Sequence, residues 1–436
     1  MRARRRIAFI GLLFFAGTSL LAAAALEHAD ALFANGYFPE AEAAYMEALH
    51  KNPGDLKVNT LLGMIDLFSN RLDDSEKHLR RAAQTGPFEG VAKNLLGEVY
   101  YRRDQFPEAA RWFRAAGSAE RAEPLELFGD AAPYTIIGPP DETRLQFLVT
   151  DPLPIVHVRV NGSELASFLI DTGGGEVQLD ADFAKRLKLS GASRISATLL
   201  DGSQTEMLLG RIATLQLGDF EVQNVPVGIR PLPVFAGRKL DGVLGTVLLY
   251  HFLATLDYPN GELILRRRSA ETLHPFETRA KAEKLIAMPF WMASDHMIVA
   301  RGRVNHAPPA LLLVATGFTS GFTCPESTIE QAALSFDRQG AIVPATSRRI
   351  NFAPFVVSDL YLGEARQQNV AGIAGAFPAG FEHAYGFRIA GLIAHQFFRS
   401  YAVTFDFTGM RLYLSGPPPK PLNKAPIDVQ TALLPQ

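Results

Sequence analysis

The chain of 436 residues is long enough for about three domains of roughly 150 residues each. Hydrophobic residues make up 47% of it and charged residues 20%, which is the balance of an ordinary globular protein rather than of a disordered one. The net charge of −2 gives no electrostatic reason to expect nucleic acid as a partner, and the single cysteine, Cys324, excludes an internal disulfide.

The first 25 residues have the pattern of a targeting segment. Arginines at positions 2, 4, 5 and 6 precede an apolar stretch, 7–25, that ends in a run of alanines. This order is typical of a secretory signal peptide, although the stretch is also just long enough to be an uncleaved membrane anchor. We therefore predict an exported protein that is periplasmic or anchored at the inner membrane facing the periplasm. No membrane contact is expected beyond this segment.

Residues 26–120 repeat with a period of 34. Pro53 and Pro87 close the first two units, whereas the third has Arg121 at the corresponding place, as expected of a terminal unit. Small residues recur where paired helices must approach, and large ones recur where helices interlock: Ala29, Gly63 and Gly97; Ala41, Ser75 and Ala109; Tyr45, Leu79 and Phe113. This resembles the tetratricopeptide repeat. An array of about three units is predicted, and it either binds a partner protein or only spaces the rest of the chain from the membrane.

Strands follow the array. Prolines punctuate residues 121–150, which we predict to be a linker with one short strand at Leu145 to Val149. Short apolar runs separated by Gly, Asn and Asp then predict a strand-rich region. One helix is expected at Asp180 to Leu187 and another at Glu326 to Leu334. The proline-rich segment 416–436 predicts a disordered tail.

The strand-rich region contains an internal duplication. Asn161 lies ten residues before Asp171, which begins an Asp-Thr-Gly tripeptide, and Asn305 lies ten residues before Ala315, which begins Ala-Thr-Gly. Two further landmarks follow in the same order in both copies: Leu215 to Gly218 with Leu360 to Gly363, and Asp241 to Gly245 with Ala390 to Ala394. Shared landmarks at nearly equal spacing predict two homologous lobes, residues 151–268 and 285–415.

The first lobe resembles the retropepsin-like aspartic peptidases, bacterial relatives of retroviral proteases and pepsins. The resemblance rests on the apolar strand that leads into Asp171, Thr172 and Gly173, and on the later Val243, Leu244 and Gly245. It implies a multidomain α + β protein, with an N-terminal α-helical tetratricopeptide array followed by two pepsin-like or retropepsin-like all-β lobes. It also implies an endopeptidase that hydrolyses peptide bonds in polypeptides without a cofactor or metal.

The same resemblance implies roles for the residues of the two tripeptides. In this family each lobe supplies one aspartate, and the two carboxylates, about 3 Å apart, share one proton. Asp171 is then the catalytic residue, and Ala315 takes the place of the second carboxylate. The residues implied to support the site are Thr172, Gly173, Thr316 and Gly317. Loss of one member of a catalytic unit usually costs roughly 10³ to 10⁶ in rate.

Three functional alternatives remain open at this point. The chain is an exported aspartic endopeptidase that acts through Asp171 and is weak or inactive, or it is a peptide-binding pseudopeptidase and adaptor in the periplasm. A third arrangement pairs the first lobes of two chains and joins two copies of Asp171, although the tethered second lobe competes with it. In each case the expected ligand is a polypeptide in the cleft between two lobes.

One further segment and one absence complete the predicted site. Asp201, Gly202 and Ser203 are a possible hairpin tip that closes over substrate as a flap, since Asp-Gly favours a tight turn. The ten histidines form no His-Glu-x-x-His motif or close ligand pair, so no metal site is predicted.

Overall fold

The helical part of the chain precedes the strands. The fold is that of a computed structural model, which describes residues 24–139, 141–189, 191, 193–198, 204–235, 237–335, 342–345, 348–351, 353–377 and 380–416. The helices before the first strand in this part of the chain are α1 (24–34), α2 (Phe38–Lys51), α3 (Leu56–Phe68), α4 (Leu72–Ala82), α5 (Glu89–Arg102), α6 (Phe106–Ala115) and α7 (Ala119–Glu126).

Close helix pairing explains the small residues of the repeat. A Cβ atom on Gly63 would lie 2.6 Å from Cγ of Leu79, and one on Gly97 would lie 2.5 Å from a ring carbon of Phe113. Only glycine lets the helices approach this closely. The turns inside the three units place Gly36, Asn70 and Asp104, spaced 34 residues apart, in the left-handed region, with φ of 72°, 57° and 59°.

The first lobe contains the following strands and helices: β1 (Thr135–Ile137), β2 (Glu142–Val149), β3 (Ile155–Val160), β4 (Ala166–Ile170), β5 (Val177–Asp180), α8 (Ala181–Arg186), β6 (Ser193–Thr198), β7 (Gln204–Leu217), β8 (Phe220–Arg230), β9 (Val234–Phe235), β10 (Arg238–Lys239), β11 (Gly242–Leu244), α9 (Thr246–Leu249), β12 (Phe252–Asp257) and β13 (Glu262–Arg267). Segment 121–150, which the sequence analysis describes as a linker, is thus mostly regular structure. It contains most of α7, then β1 and β2, which pair with β8 and β13.

Helix α10 (Ala270–Ala282) leads to the second lobe, and a capping box between Ser269 and Thr272 fixes its start. The second lobe contains β14 (Ile286–Met292), β15 (Ile298–Val304), β16 (Ala310–Ala315), β17 (Phe322–Thr323), α11 (Glu326–Gln331), β18 (Ile342–Ala345), β19 (Arg348–Asn351), β20 (Ala353–Leu362), β21 (Ala365–Ala374), β22 (Ile389–Ala394), α12 (His395–Phe398), β23 (Ala402–Asp406) and β24 (Arg411–Ser415), with short 3₁₀ turns at Ser294–His296 and Phe381–His383.

The two lobes share one topology around their tripeptides. In the first lobe β4 pairs with β3 on one side and runs parallel to β11 on the other, with Ile170 opposite Leu244. In the second lobe β16 pairs with β15 and runs parallel to β22, with Ala315 opposite Ala394. Each tripeptide therefore lies at the end of a central strand.

A six-stranded antiparallel sheet joins the lobes. Its order is β2, β13, β12, β23, β24, β14, so each lobe contributes three strands. At its centre the hydroxyls of Thr255 in β12 and Thr404 in β23 hydrogen-bond at 2.8 Å. The lobes of one chain therefore pair with each other through the surface that two first lobes would need for pairing between chains.

The helical array packs on both lobes through the turns inside its units. Each of the three left-handed turn residues makes a polar contact with the lobes: Gly36 O accepts from Arg301 Nη2 (2.9 Å), Asn70 Nδ2 donates to Phe407 O (3.0 Å), and the Asp104 carboxylate hydrogen-bonds His251 Nε2 (3.1 Å). Buried apolar clusters cross the same boundary. The array is therefore a packed part of the protein.

Three predicted segments lie partly or wholly outside the described residues. They are the targeting segment, of which 1–23 is outside, the flap tip at 201–203, and the tail from 417. Within the described residues no helix is long and apolar enough to cross a membrane.

Candidate active site

Asp171 follows β4 directly, and its carboxylate is held by main-chain amides from both lobes. Its Oδ1 accepts a hydrogen bond from the amide of Gly173 at 2.7 Å and another from the amide of Gly317 at 2.9 Å. The residue is only 6% exposed. The carboxylate therefore lies at the junction of the lobes, in contact with both tripeptides.

The threonines of the two tripeptides exchange hydrogen bonds across the junction. The amide of Thr172 donates to Oγ1 of Thr316 at 3.0 Å, and the amide of Thr316 donates to Oγ1 of Thr172 at 3.1 Å. Each hydroxyl also donates across the junction at 3.0 Å, to the main-chain oxygen of Val314 or Ile170. Both side chains are fully buried, so this symmetric hydrogen-bond network fixes how the two strand ends face each other.

Ala315 occupies the position related to Asp171 by the approximate twofold symmetry. A Cβ atom on Gly317 would lie 2.2 Å from Cγ of Asp171, and one on Gly173 would lie 2.8 Å from Cβ of Ala315. Each glycine thus lies beside the first residue of the opposite tripeptide. The methyl group of Ala315 is fully buried where symmetry would place a second carboxylate.

Burial raises the pKa of the Asp171 carboxyl, because the charged form loses its hydration. The amides of Gly173 and Gly317 act in the opposite direction, followed by the guanidinium of Arg230. None of the groups that shift the pKa of Asp171 is a carboxylate. The pKa of Asp171 is therefore not raised by the like-charge repulsion that separates the two pKa values of an aspartic dyad.

A cavity of about 570 Å³ opens in front of Asp171. Three parts of the protein line it: the last helices of the array, the first lobe and a rim of the second lobe. Its apolar walls in the first lobe include Leu153, Leu169, Leu240 and Val243. Helices α5 to α7 and the residues after them contribute Tyr101, Phe113, Leu125 and Phe128.

Polar residues of this cavity were missed by the sequence analysis. Arg230 ends β8, and its Nε donates to Oε1 of Gln178 at 2.7 Å. Glu176 follows the tripeptide and accepts from the hydroxyl of Tyr134 at 2.9 Å. No motif marks these residues, and the pairing of β5 with β8 across about 50 residues is what brings Arg230 to Gln178.

The hairpin predicted to carry a flap borders the same cavity. Strands β6 and β7 pair antiparallel up to Thr198 opposite Gln204, and Ile195 and Met207 line the cavity. The tip itself, Asp201, Gly202 and Ser203, lies outside the described residues. The flap therefore stays a prediction.

The comparisons with known proteins agree with this architecture. Residues 156–248 match the family model described as aspartyl protease, and residues 60–122 match the tetratricopeptide repeat model. The chain contains a tetratricopeptide array and a retropepsin-like aspartic protease domain. These matches confirm the resemblance and the fold class predicted from the sequence. The second lobe lies outside the matched segment, so its relation to the first rests on the duplication and on the symmetric strand ends.

Solved structures that are similar to part of this chain include a crystal structure of a retropepsin-like aspartic protease from Rickettsia conorii. It is 19% identical, the match covers 31% of this chain and 95% of that chain, and the TM-score is 0.24. No curated protein matches the chain significantly.

Among the described residues, no group of three or more His, Cys, Asp or Glu side chains is arranged to hold a metal ion.

The predicted site residues that the structure brings together are Asp171, Thr172, Gly173, Ala315, Thr316 and Gly317.

Proposed function

We propose that this protein binds polypeptide in the cleft at Asp171 and no longer hydrolyses peptide bonds efficiently. The observation that carries the proposal is the buried methyl group of Ala315 at the place of the second carboxylate. The hydrogen-bond network between Thr172 and Thr316 is present. The site thus keeps the frame of an aspartic peptidase with one of its two acids.

One carboxyl group cannot perform both proton transfers at once. When ionised, Asp171 can accept a proton from water but cannot also donate to the carbonyl oxygen of the peptide bond. When protonated, it can donate to that oxygen but no base remains for the water. Binding has no such requirement, because main-chain hydrogen bonds and apolar pockets hold an extended peptide without a second acid.

Slow hydrolysis at acidic pH is the second candidate. Two observations favour it. The cavity reaches Asp171, and the amides of Gly173 and Gly317 hold its carboxylate in one fixed orientation. Such cleavage should be greatest in acid, should be blocked by pepstatin-type inhibitors and should vanish in Asp171→Asn. Cleavage that survives this substitution, or that a chelator abolishes, would indicate a different chemistry.

The experiment combines binding and turnover for the wild type. Fluorescence anisotropy with labelled apolar peptides should show saturable binding, and Asp171→Asn should keep it. Cleavage of unfolded casein at pH 4 should be at least about 10³-fold slower than by a peptidase with both carboxylates. The absence of peptide binding, or turnover as fast as that of a two-carboxylate peptidase, would overturn the proposal.

Export to the periplasm is part of the same proposal. The arginine-led apolar segment 1–25 supports it, and a chain that begins near Leu26 is expected in exported material. N-terminal sequencing tests this, and a cytoplasmic protein that retains Met1 would refute it. A protein partner of the array would have to use surfaces other than the turns that hold the lobes.

A further inference from the structure

Equivalent surfaces of the two lobes are covered differently. In the first lobe Leu153 and Leu169 line the cavity beside Asp171. Their counterparts in the second lobe, displaced by the same 144 residues as Ala315 from Asp171, are Met297 and Leu313. Met297 still reaches the cavity, whereas Leu313 is fully buried in a cluster with the helical array.

Aromatic residues of the first two array units cover this part of the second lobe. Phe38 lies against Trp291 and Phe387, with ring centroids 5.4 and 5.1 Å away, and Phe68 lies 5.7 Å from Phe387. The same cluster contains Leu313 and Ala315. The array thus occupies, on the second lobe, the surface that remains open to the cavity on the first.

Polar contacts hold the array in this place. The buried guanidinium of Arg102 donates to the main-chain oxygens of Met292 and Ala293 at 3.0 and 3.1 Å. The amide of Arg388 donates to the main-chain oxygen of Ala34 at 2.7 Å. A ligand would have to break these hydrogen bonds and expose the aromatic cluster before it could reach this half of the cleft.

We propose that the ligand of the cleft is a short apolar peptide or the end of a polypeptide chain, bound along the first lobe and terminating near Asp171, because the array fills the other half. This inference rests on the proposed peptide-binding function and narrows its ligand class. The cavity of about 570 Å³ lies within the range of about 300 to 1,000 Å³ for small-ligand sites. The second lobe lines this cavity with its rim, including Met297 and Phe318, whereas its Leu313 is buried in a cluster with the array.

A matched pair of substitutions tests the asymmetry. Leu169 and Leu313 occupy equivalent strand positions, two residues before Asp171 and Ala315. Leu169→Ala should weaken binding of a labelled apolar pentapeptide at least about fivefold, whereas Leu313→Ala should change it less than twofold in the folded protein. Equal losses in the two variants would mean that the ligand uses both lobes and would overturn the inference.

A length series keeps the test valid if Leu313→Ala fails to fold. In the wild type, extending the pentapeptide at one end should leave the Kd within about twofold, and extending it at the other end should raise the Kd at least tenfold. Affinity that rises with extension at both ends would refute the one-sided cleft while leaving peptide binding intact. If no peptide of any length binds, the proposed function itself has failed.

Discussion

At the scale of single residues, one position separates the two lobes chemically. Thr172 and Thr316 make equivalent hydrogen bonds, and Gly173 and Gly317 each lie beside the first residue of the opposite tripeptide. The first residue of each tripeptide breaks the symmetry, since one is an acid and the other carries a methyl group. Substitutions at this position therefore measure what a carboxyl group contributes when the surrounding threonines and glycines are unchanged.

Restoring the second acid should restore hydrolysis. In Ala315→Asp the new carboxylate would lie beside Gly173, as Asp171 lies beside Gly317, and like-charge repulsion would raise one of the two pKa values so that one proton is shared. Cleavage of unfolded protein at acidic pH should rise at least about tenfold. Ala315→Asn, of equal size but without the acid, is the control. A folded, monomeric Ala315→Asp variant with no gain would show that the strand ends do not form a catalytic pair.

The raised pKa of Asp171 predicts the pH dependence of stability. A carboxyl whose pKa is higher in the folded than in the unfolded state favours folding below the unfolded value of about 3.9, and this contribution is lost as pH rises through the folded pKa. Asp171→Asn removes the effect. Relative to this variant, the wild type should therefore lose free energy of unfolding as the pH rises above about 4, as measured by urea denaturation. A difference that does not change with pH would contradict the prediction.

The carboxyl of Asp151 provides a control of opposite sign. Its hydrogen bond to His395 and the nearby Arg399 lower its pKa, so its contribution is present above about pH 3.9 and is lost as pH falls through the folded pKa. Asp151→Asn should therefore lower stability most at neutral pH. Equal pH profiles for the two variants would show that neither carboxyl controls this dependence.

At the scale of elements, the array meets the lobes through three equivalent turns. Gly36, Asn70 and Asp104 are one repeat apart, and each contacts the lobes through a polar group. Helix pairing within the array is set by the small residues of the repeat, whereas docking is set by these turns. The two functions therefore use different positions of the same 34-residue unit.

Gly36→Ala should weaken this docking. Gly36 has φ of 72°, and a Cβ atom there would lie 2.4 Å from Cδ1 of Leu311 in the second lobe. Gly162 is the matched control, because its φ is 71° but no heavy atom lies within 4 Å of its Cβ position. Both variants should lose about 1 kcal/mol for the left-handed backbone, and Gly36→Ala should lose about 1 to 3 kcal/mol more from overpacking. Equal losses in denaturant titrations would mean that the turn does not contact the lobe.

At the scale of the whole molecule, the hydrophobic core is continuous across the boundary between array and lobes. One buried cluster contains Phe106 and Phe113 of the array with residues of both lobes, and another joins Phe33 and Phe38 to Leu313. The two lobes are also joined to each other by the interlobe sheet. Separate stability for the array is therefore not expected.

Array and lobes should unfold in one cooperative transition. Helicity measured by circular dichroism reports chiefly on the array, and fluorescence of Trp291, isolated by Trp112→Phe, reports on the second lobe at the contact. The two curves should coincide in urea, as a two-state transition requires. A first step that removes helicity while hydrogen exchange still protects the amides of β12 and β23 would contradict the prediction.

Much of the site was readable from sequence because its features are local or periodic. The Asp-Thr-Gly and Ala-Thr-Gly tripeptides align without a gap, and the 34-residue period survives in Gly63 and Gly97. Arg230 was missed because the pairing of β5 with β8 brings it to the cavity, and Glu176 was missed because no motif marks it. We predicted a linker at 121–150 because of its prolines. One of these prolines lies inside α7 and others follow β1, so they did not prevent helix and strand formation in this segment.

The sequence by itself determined the duplication, the helical period and the loss of one acid, since each is a relation between residue types at fixed spacing. The tertiary structure alone decided where the array lies and which half of the cleft it fills. Phe33, Phe38 and Phe68 have the pattern of ordinary array residues, and Leu313 that of an ordinary strand residue. Apolar burial has no direction, so composition cannot tell which surfaces cover each other until chain geometry brings them together.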